Sequence, residues 1–193
     1  MQPALPLLIP DWPAPANVRA LVSTRMGGVS EGAYRSLNLG DHVGDAAAAV
    51  AENRRRFSAA TGLPQPPSWL NQIHGCDVVR AGANERTAAD ACWTVQRSMP
   101  CAILTADCLP VLFAARDGSC VAAAHAGWRG LAAGVLEATV ASLPAPADQL
   151  MAWLGPAIGP GAFQVGDEVR TAFITMAAED AAAFVADGTS GSG

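Results

Sequence analysis

The sequence predicts a layered α/β domain. Short apolar stretches of strand type alternate along the chain with stretches of helical period, a pattern typical of strands and helices packed in layers. The chain has 193 residues, of which 51% are hydrophobic and 15% are charged. That composition is typical of a globular domain and excludes a disordered chain. We therefore expect residues 1–193 to form a single domain around one buried core.

In the first half of the chain, the pattern predicts one long helix among short strands and loops. Strands are expected over 18–23, 68–73 and 77–80. Asp45 is placed to cap a helix over 46–61, because a carboxylate can accept from the free N–H groups of a first turn. Gly62 is expected to end that helix.

In the second half of the chain, strand and helix signals alternate more closely. Strands are expected over 101–105, 109–115, 120–125 and 151–154, and residues 88–94 predict a turn that leads into a short strand or helix. Helices are expected over 128–143, 167–177 and 180–186. The first of these has its apolar residues at a helical period. The final stretch, D-G-T-S-G-S-G, is expected to be a flexible end.

Charge and cysteine spacing exclude several classes of function. The net charge of −5 argues against a nucleic-acid partner. All 12 basic residues are arginine, which excludes Schiff-base chemistry at a lysine and a phosphate-binding P-loop. The 5 cysteines include no C-x-x-C pair, so a zinc ribbon is excluded as well.

The sequence also indicates a compartment. No apolar run approaches the ~20 residues of a membrane span, and the N-terminal stretch has no charged signal-peptide region. We therefore expect a cytoplasmic protein with reduced thiols and no membrane partner. Cys92, Cys101 and Cys120 are expected to be small core residues in that setting.

Three residues with strong metal-binding or nucleophilic side chains stand at the edges of apolar runs. They are His74 in N-Q-I-H-G, Cys108 in T-A-D-C-L-P and His125 in A-H-A-G-W-R-G. Two imidazoles and a thiolate suit zinc and leave a fourth tetrahedral position open. A cysteine beside a histidine could instead act as nucleophile and base, so both interpretations stay open. Cys76 is a less favoured fourth ligand, because Gly75 is expected to turn the chain.

Two charged residues beside these three are candidates for binding and proton transfer. In H-A-G-W-R-G, Arg129 would stand at the start of a helix, where a guanidinium and free N–H groups can hold phosphate or carboxylate. Asp107 could orient a ligand histidine or accept a proton. The alternatives are a strand-to-helix turn with a surface arginine, and an aspartate that only caps the backbone.

Polar residues in further motifs are candidate substrate contacts. T-R-M-G-G-V-S and S-L-N-L-G contribute Arg25 and Asn38, whose side chains could bind a sugar or a phosphate. Gln72 shares one face of an extended segment with His74, because side chains alternate along a strand. A well hydrogen-bonded surface loop is an alternative explanation of the glycine-rich motifs.

Taken together, the motifs resemble the YfiH or laccase-domain family, whose members are also called polyphenol oxidases or peptidoglycan editing factors. The matching pieces run in order: T-R-M-G-G-V-S, S-L-N-L-G, E-N-R, N-Q-I-H-G, A-D, T-A-D-C-L-P-V, H-A-G-W-R-G and G-P-A-I-G-P. The resemblance implies a three-layer α/β/α sandwich with a mixed sheet. It also implies a zinc site formed by His74, Cys108 and His125. Members usually continue further, so the 1–193 domain is expected to lack C-terminal elements.

The resemblance implies three alternative functions. The first is a zinc-dependent enzyme that cleaves adenosine, inosine, guanosine and methylthioadenosine with phosphate and deaminates adenosine. Its expected catalytic residues are Cys108, His125 and Asp107, and its expected substrate and phosphate contacts are Arg129, Arg25, Asn38 and Gln72. The second is a copper polyphenol oxidase, although 3 histidines are few for several copper ions. The third is a cysteine- or zinc-dependent amidase that edits peptidoglycan precursors. We favour the first, with zinc as cofactor, copper as the alternative, and a purine nucleoside and phosphate as ligands.

Overall fold

A five-stranded mixed sheet forms the centre of the molecule. The computed structural model describes residues 5–82 and 87–186, so the predicted flexible end over 187–193 lies outside the described residues. The strands are β1 (Leu7–Leu8), β2 (Val22–Ser23), β3 (Val78–Arg80), β4 (Ala91–Thr94), β5 (Leu109–Ala115), β6 (Val121–Ala126) and β7 (Leu150–Leu154). The central sheet has the order β3-β4-β6-β5-β7, in which β3 and β4 are parallel and the other neighbours antiparallel. The predicted α/β class and mixed sheet are confirmed.

Four α-helices accompany the strands in the described residues. They are α1 (Ala47–Thr61), α2 (Trp128–Ala132), α3 (Val135–Ser142) and α4 (Asp167–Met176). Short 3-10 helices cover Gly32–Tyr34, Ala147–Gln149, Pro160–Ala162 and Ala178–Ala183. Within the described ranges, none of the helices has the length and apolar character needed to cross a membrane.

The two faces of the central sheet are covered by different structures. Side chains alternate between faces along a strand, so Val111 and Phe113 on β5 share one face and pack under α3 against Val135. Cys92 on β4 belongs to a smaller apolar cluster with Leu70, which lies in an irregular segment. The helical face therefore holds the main core, and loops cover the other face.

A separate apolar cluster joins α1 to the N-terminal loops. Phe57 of α1 packs with Leu5, Leu37 and Leu39, all of them buried. The helix ends at Gly62, which adopts the left-handed conformation with a φ of 60°. Glycine takes that conformation without steric cost, so the predicted end of this helix is confirmed.

Three predicted strands are wrong in whole or in part. Within 18–23 only the last two residues form a strand, and within 68–73 Asn71 makes a single parallel bridge to Ala88. Residues 101–105 form no strand, and the side chain of Gln72 bonds to both the N–H and the C=O of Leu104 at 2.7 Å. A side-chain amide can replace a neighbouring strand in this way, and an apolar pattern does not reveal it.

Two predicted helices also differ from the structure. The helix over 128–143 is interrupted at Gly134, whose φ of 89° separates α2 from α3. The apolar period continues across this break, so the periodicity alone could not detect it. The predicted helix over 180–186 is the 3-10 helix Ala178–Ala183, whereas the helix predicted over 167–177 is confirmed as α4.

The prediction that the Asp45 side chain caps α1 is wrong. Ala46 occupies the N-cap position, and no side chain caps the helix. The Asp45 carboxylate instead accepts hydrogen bonds from Ser30 Oγ at 2.6 Å and from Asn38 Nδ2 at 2.9 Å. These bonds lower the pKa of Asp45. The aspartate therefore fastens the preceding loop rather than the helix.

Candidate metal centre

His125 is placed by the middle of the sheet. It lies on β6, which is paired on one side with β4 and on the other with β5. Its neighbours Ala124 and Ala126 belong to the core under the helices, so the imidazole points to the opposite face. The residue is 3% exposed. A histidine held by two neighbouring strands has little freedom to move.

His74 is placed by a tight turn ahead of β3. Its φ of 59° lies in the left-handed region, which is uncommon for a residue other than glycine. The side chain is exposed, unlike that of His125. The two rings nevertheless meet edge to face, with 4.8 Å between their centroids and an interplanar angle of 77°.

Cys108 stands directly before β5 and is partly buried. Its neighbour Leu109 is paired with Ala126, the residue that follows His125. Burial raises the pKa of the Cys108 thiol, and the carboxylates of Asp107 and Asp90 raise it further. Without an added cation, the thiol is therefore held in its protonated form at neutral pH.

The donor atoms of His74, Cys108 and His125 converge. One nitrogen from each histidine and the cysteine Sγ lie within 4.8 Å of one another. Gly127 forms the wall beside them, because a Cβ built there would lie 2.9 Å from His74 Cδ2 and 3.0 Å from Cys108 Sγ. Cys76 packs into the core under the helices and is not one of the converging donors. The arrangement can hold a metal ion with three protein ligands.

Asp90 is central to this site, although it is not among the site residues predicted from the sequence. It is completely buried, and its Oδ1 lies 2.8 Å from Nδ1 of His125. Its carboxylate also accepts from the backbone N–H groups that flank and include His74. The available signal was a single acidic residue inside the small, apolar stretch A-A-D-A-C-W, where an unpaired charge would be costly.

Asp107 and Arg129, the charged residues predicted beside His74, Cys108 and His125, are both exposed at the surface. Asp107 is exposed, and its backbone carbonyl accepts from the N–H of Ile158 at 2.9 Å. Arg129 is exposed, and its guanidinium stacks over the Trp128 ring at 4.3 Å. The carboxylate that bonds to the His125 ring belongs to Asp90, not to Asp107.

The predicted substrate contacts bond mainly to other parts of the chain. Gln72 uses both ends of its amide on Leu104. Arg25 donates from Nε to the carbonyl of Arg35 at 2.8 Å. Asn38 bonds to the backbone of Gly40 and, through Nδ2, to Asp45. These contacts fasten loops, and a role in substrate binding remains a prediction for each residue.

Comparisons with known proteins identify the family to which the chain belongs. Residues 19–192 match a family described as multi-copper polyphenol oxidoreductase laccase. A Pseudomonas aeruginosa protein named purine nucleoside phosphorylase is 60% identical over 92% of this chain and 73% of its own length. Purine nucleoside phosphorylase YfiH of Escherichia coli is 53% identical over 94% of this chain and 76% of its own length.

Solved structures also resemble this chain in sequence and fold. The crystal structure of a Neisseria meningitidis protein is 52% identical, superposes with a TM-score of 0.89, and covers 95% of this chain and 76% of that one. YlmD from Geobacillus stearothermophilus is 35% identical with a TM-score of 0.71, over 83% of this chain and 65% of that one. The matched residues include all three converging donors and Asp90. The chain belongs to the YfiH, or laccase-domain, family.

Proposed function

We propose that this chain is a zinc-dependent purine nucleoside phosphorylase. The observation that carries the proposal is a three-ligand metal centre in a chain whose relatives at 60% and 53% identity bear that name. The proposed substrates are adenosine, inosine, guanosine and methylthioadenosine, with phosphate as the second substrate. Deamination of adenosine is a further proposed activity, and it requires a second substrate pose because it acts at C6 rather than at C1′.

The residues present fit zinc. Tetrahedral zinc with bonds of ~2.0–2.3 Å sets its donors about 3.3–3.8 Å apart, so small side-chain rotations bring donors within 4.8 Å to that spacing. The small Gly127 leaves the space between them open. His74, Cys108 and His125 would hold the ion, and the bound ion would supply Lewis-acid chemistry.

Phosphorolysis breaks the bond between the purine nitrogen and C1′ and forms a bond from a phosphate oxygen to C1′. A free purine and ribose 1-phosphate result, and the purine leaves more readily when it gains a proton. Asp107, exposed beside Cys108, is the proposed acid–base group. Arg129 is the proposed phosphate contact, with Arg25 as a second candidate, because a guanidinium can bind phosphate through two parallel hydrogen bonds.

A copper polyphenol oxidase is the second candidate, favoured by the description of the matching family. Copper binds nitrogen and sulfur ligands more tightly than zinc, so a copper-loaded form is a reasonable alternative. A multi-copper oxidase needs more imidazoles than the 3 histidines of this chain. The metal count per chain therefore separates the two candidates.

The amidase hypothesis requires Cys108 as a nucleophile activated by His125, which belongs to the same cluster. A nucleophilic cysteine needs a lowered pKa, whereas the pKa of Cys108 is raised by burial and by two carboxylates. A raised pKa does not count against Cys108 as a metal ligand in the same way, because coordination to zinc itself removes the thiol proton.

The test combines elemental analysis of freshly purified protein with an assay on inosine and adenosine. We expect one zinc ion per chain, and release of free base only when phosphate is present. A chelator should abolish the reaction and added zinc should restore it. Full activity after complete metal removal would contradict the proposal. Several copper ions per chain with oxidation of a phenol would favour the oxidase.

A further inference from the structure

We propose that Asp90 is a positioning residue that sets both histidine ligands of the metal centre at once. It acts on His125 through a side-chain hydrogen bond and on His74 through the backbone of the turn. The inference rests on the metal-binding part of the proposed function and does not depend on the reaction. The two histidines are 51 positions apart in the sequence, and one carboxylate joins them.

Both oxygens of the Asp90 carboxylate have two hydrogen-bond partners each. Oδ1 accepts from the N–H of His74 at 2.9 Å and lies 2.8 Å from His125 Nδ1. Oδ2 accepts from the N–H groups of Ile73 at 3.1 Å and Gly75 at 2.7 Å. Asp90 itself is 0% exposed, so these groups replace water entirely. Hydrogen bonds to a buried charge are short and strong, which makes the arrangement rigid.

The first consequence concerns the tautomer of His125. Backbone N–H groups already donate to both oxygens of Asp90, so this side chain faces His125 as a hydrogen-bond acceptor and Nδ1 is the donor. In the tautomer that this contact selects, the lone pair lies on Nε2. Asp90 thereby leaves one defined ring nitrogen available for a metal, and fixes the direction in which that nitrogen points.

The second consequence concerns the turn at His74. A φ of 59° is unfavourable for histidine and persists when the surroundings impose it. The N–H groups of Ile73, His74 and Gly75 all point at the Asp90 carboxylate, which is the interaction that imposes this conformation. Loss of the charge would release the turn and carry the His74 ring away from its partners.

Substitution by asparagine separates charge from shape. An amide has the size of a carboxylate, but one of its two ends is an N–H2 donor. Each carboxylate oxygen of Asp90 faces two donors, so the amide nitrogen would oppose two donors in either orientation. Asp90→Asn therefore disturbs one or both histidines without leaving a cavity.

The first experiment measures zinc affinity by competition with a chromogenic chelator for wild type, Asp90→Asn and Asp77→Asn. Asp77 is a matched control, since it is exposed and meets Asp90 through its backbone carbonyl rather than its side chain. Because loss of such outer partners typically costs 10–100-fold in metal affinity, we expect a loss of about that size for Asp90→Asn. Asp77→Asn should bind as the wild type does. Equal zinc affinity of Asp90→Asn and wild type would overturn the inference.

A second experiment separates the two histidines. In zinc-free protein, the amide proton and nitrogen-15 shifts of Ile73, His74 and Gly75 report the turn without the His125 ring, so Asp90→Asn should change them if Asp90 holds His74. Unchanged amide shifts at these three residues would overturn the action on both ligands and reduce Asp90 to a partner of His125 alone.

The third measurement needs neither zinc nor a stable variant. Nitrogen-15 spectra of the imidazoles in zinc-free wild type should show His125 protonated at Nδ1 and unprotonated at Nε2. The opposite tautomer would overturn the inference even if Asp90→Asn fails to fold. Wild type that binds no zinc but shows the expected tautomer would count against the proposed function while supporting the orientation of His125.

Discussion

Two polar centres in this molecule are buried to the same extent and differ in chemistry. One surrounds Asn53 on α1, and the other surrounds Asp90 ahead of β4, and both residues are 0% exposed. Asn53 donates from Nδ2 to Ser30 Oγ, Ser36 O and Asn38 O, and its Oδ1 accepts from the N–H of Val29. Each centre thus ties together segments that are distant along the chain.

The difference lies in what remains after these bonds are made. Around Asn53, the donors and acceptors satisfy one another, so the centre fastens loops to α1. Around Asp90, the bonds orient two imidazoles toward a cysteine, and their remaining donor atoms converge within 4.8 Å. Buried hydrogen bonding is therefore common to both centres. The centre around Asp90 differs because the donor atoms of its histidines, together with the Cys108 Sγ, converge on one point.

The sharpest test of this distinction removes a converging donor. In Cys108→Ser we expect loss of stoichiometric zinc and a fall in phosphorolysis of at least about 100-fold, because a serine hydroxyl is a poor zinc ligand. Elemental analysis and the inosine assay measure the two effects. Cys76→Ala is the control, since Cys76 packs in the core away from the donors. Full zinc content in Cys108→Ser would mean that the thiol is not a ligand.

The corresponding change at the other centre should affect folding instead. Asn53→Ala removes the part-buried hydrogen bonds to the N–H of Val29 and to the carbonyls of Ser36 and Asn38, so we expect a loss of about 3 kcal/mol in the free energy of unfolding. Urea denaturation measures it. Asn17→Ala, which removes one exposed hydrogen bond to Gly118, should cost less than about 1 kcal/mol. A large drop in the zinc affinity of folded Asn53→Ala would show that the two centres are coupled.

A smaller effect is expected from filling the space between the donors. Gly127→Ala would place a Cβ 2.9 Å from the His74 ring and 3.0 Å from Cys108 Sγ, so we expect zinc affinity to fall about 10-fold. Stability should change little, because the φ of −65° at this position suits alanine. Gly159→Ala is the matched control, with no atom within 4 Å of the added Cβ. Equal zinc affinity of both variants would mean that the wall at Gly127 is not close to the ion.

The smallest effect concerns the exposed side of α1. Hydrogen bonds from Arg55 and then Arg56 lower the pKa of Glu52 from 4.5 to about 2. A carboxyl with a lowered pKa in the folded state stabilises the protein above its unfolded pKa, and this stabilisation is lost as the pH falls toward 2. Glu52→Gln should therefore be slightly less stable than wild type at pH 7, with the difference shrinking in acid. Solvent screening keeps the effect small.

Urea titrations of wild type and Glu52→Gln at neutral pH and at about pH 3 check the sign of this effect. A stability difference that grows on acidification would contradict it. Zinc content at neutral pH should be the same in both proteins, since Glu52 belongs to neither polar centre. Comparing the zinc content of the two proteins therefore also shows whether a charge change on α1 affects the metal centre.

The apolar pattern determined most of the sheet and two of the helices. The strand over 109–115 is confirmed at both ends, and α1 and α4 are confirmed within about a residue, because burial on one face imposes a period on the sequence. The apolar pattern did not predict the helix break at Gly134 or the absence of a strand around Leu104. Both depend on hydrogen bonds or backbone angles that leave the apolar pattern unchanged.

The sequence by itself also determined which side chains have metal-binding chemistry, because histidine and cysteine are scarce and each stands at the edge of an apolar run. Only the tertiary structure decided which of them meet: it brings His74, Cys108 and His125 together and turns Cys76 into the core. It also identified Asp90, whose neighbours in the chain are apolar and whose partners come from a distant turn and strand. Side-chain identity is local information, whereas convergence depends on strand pairing across the sheet.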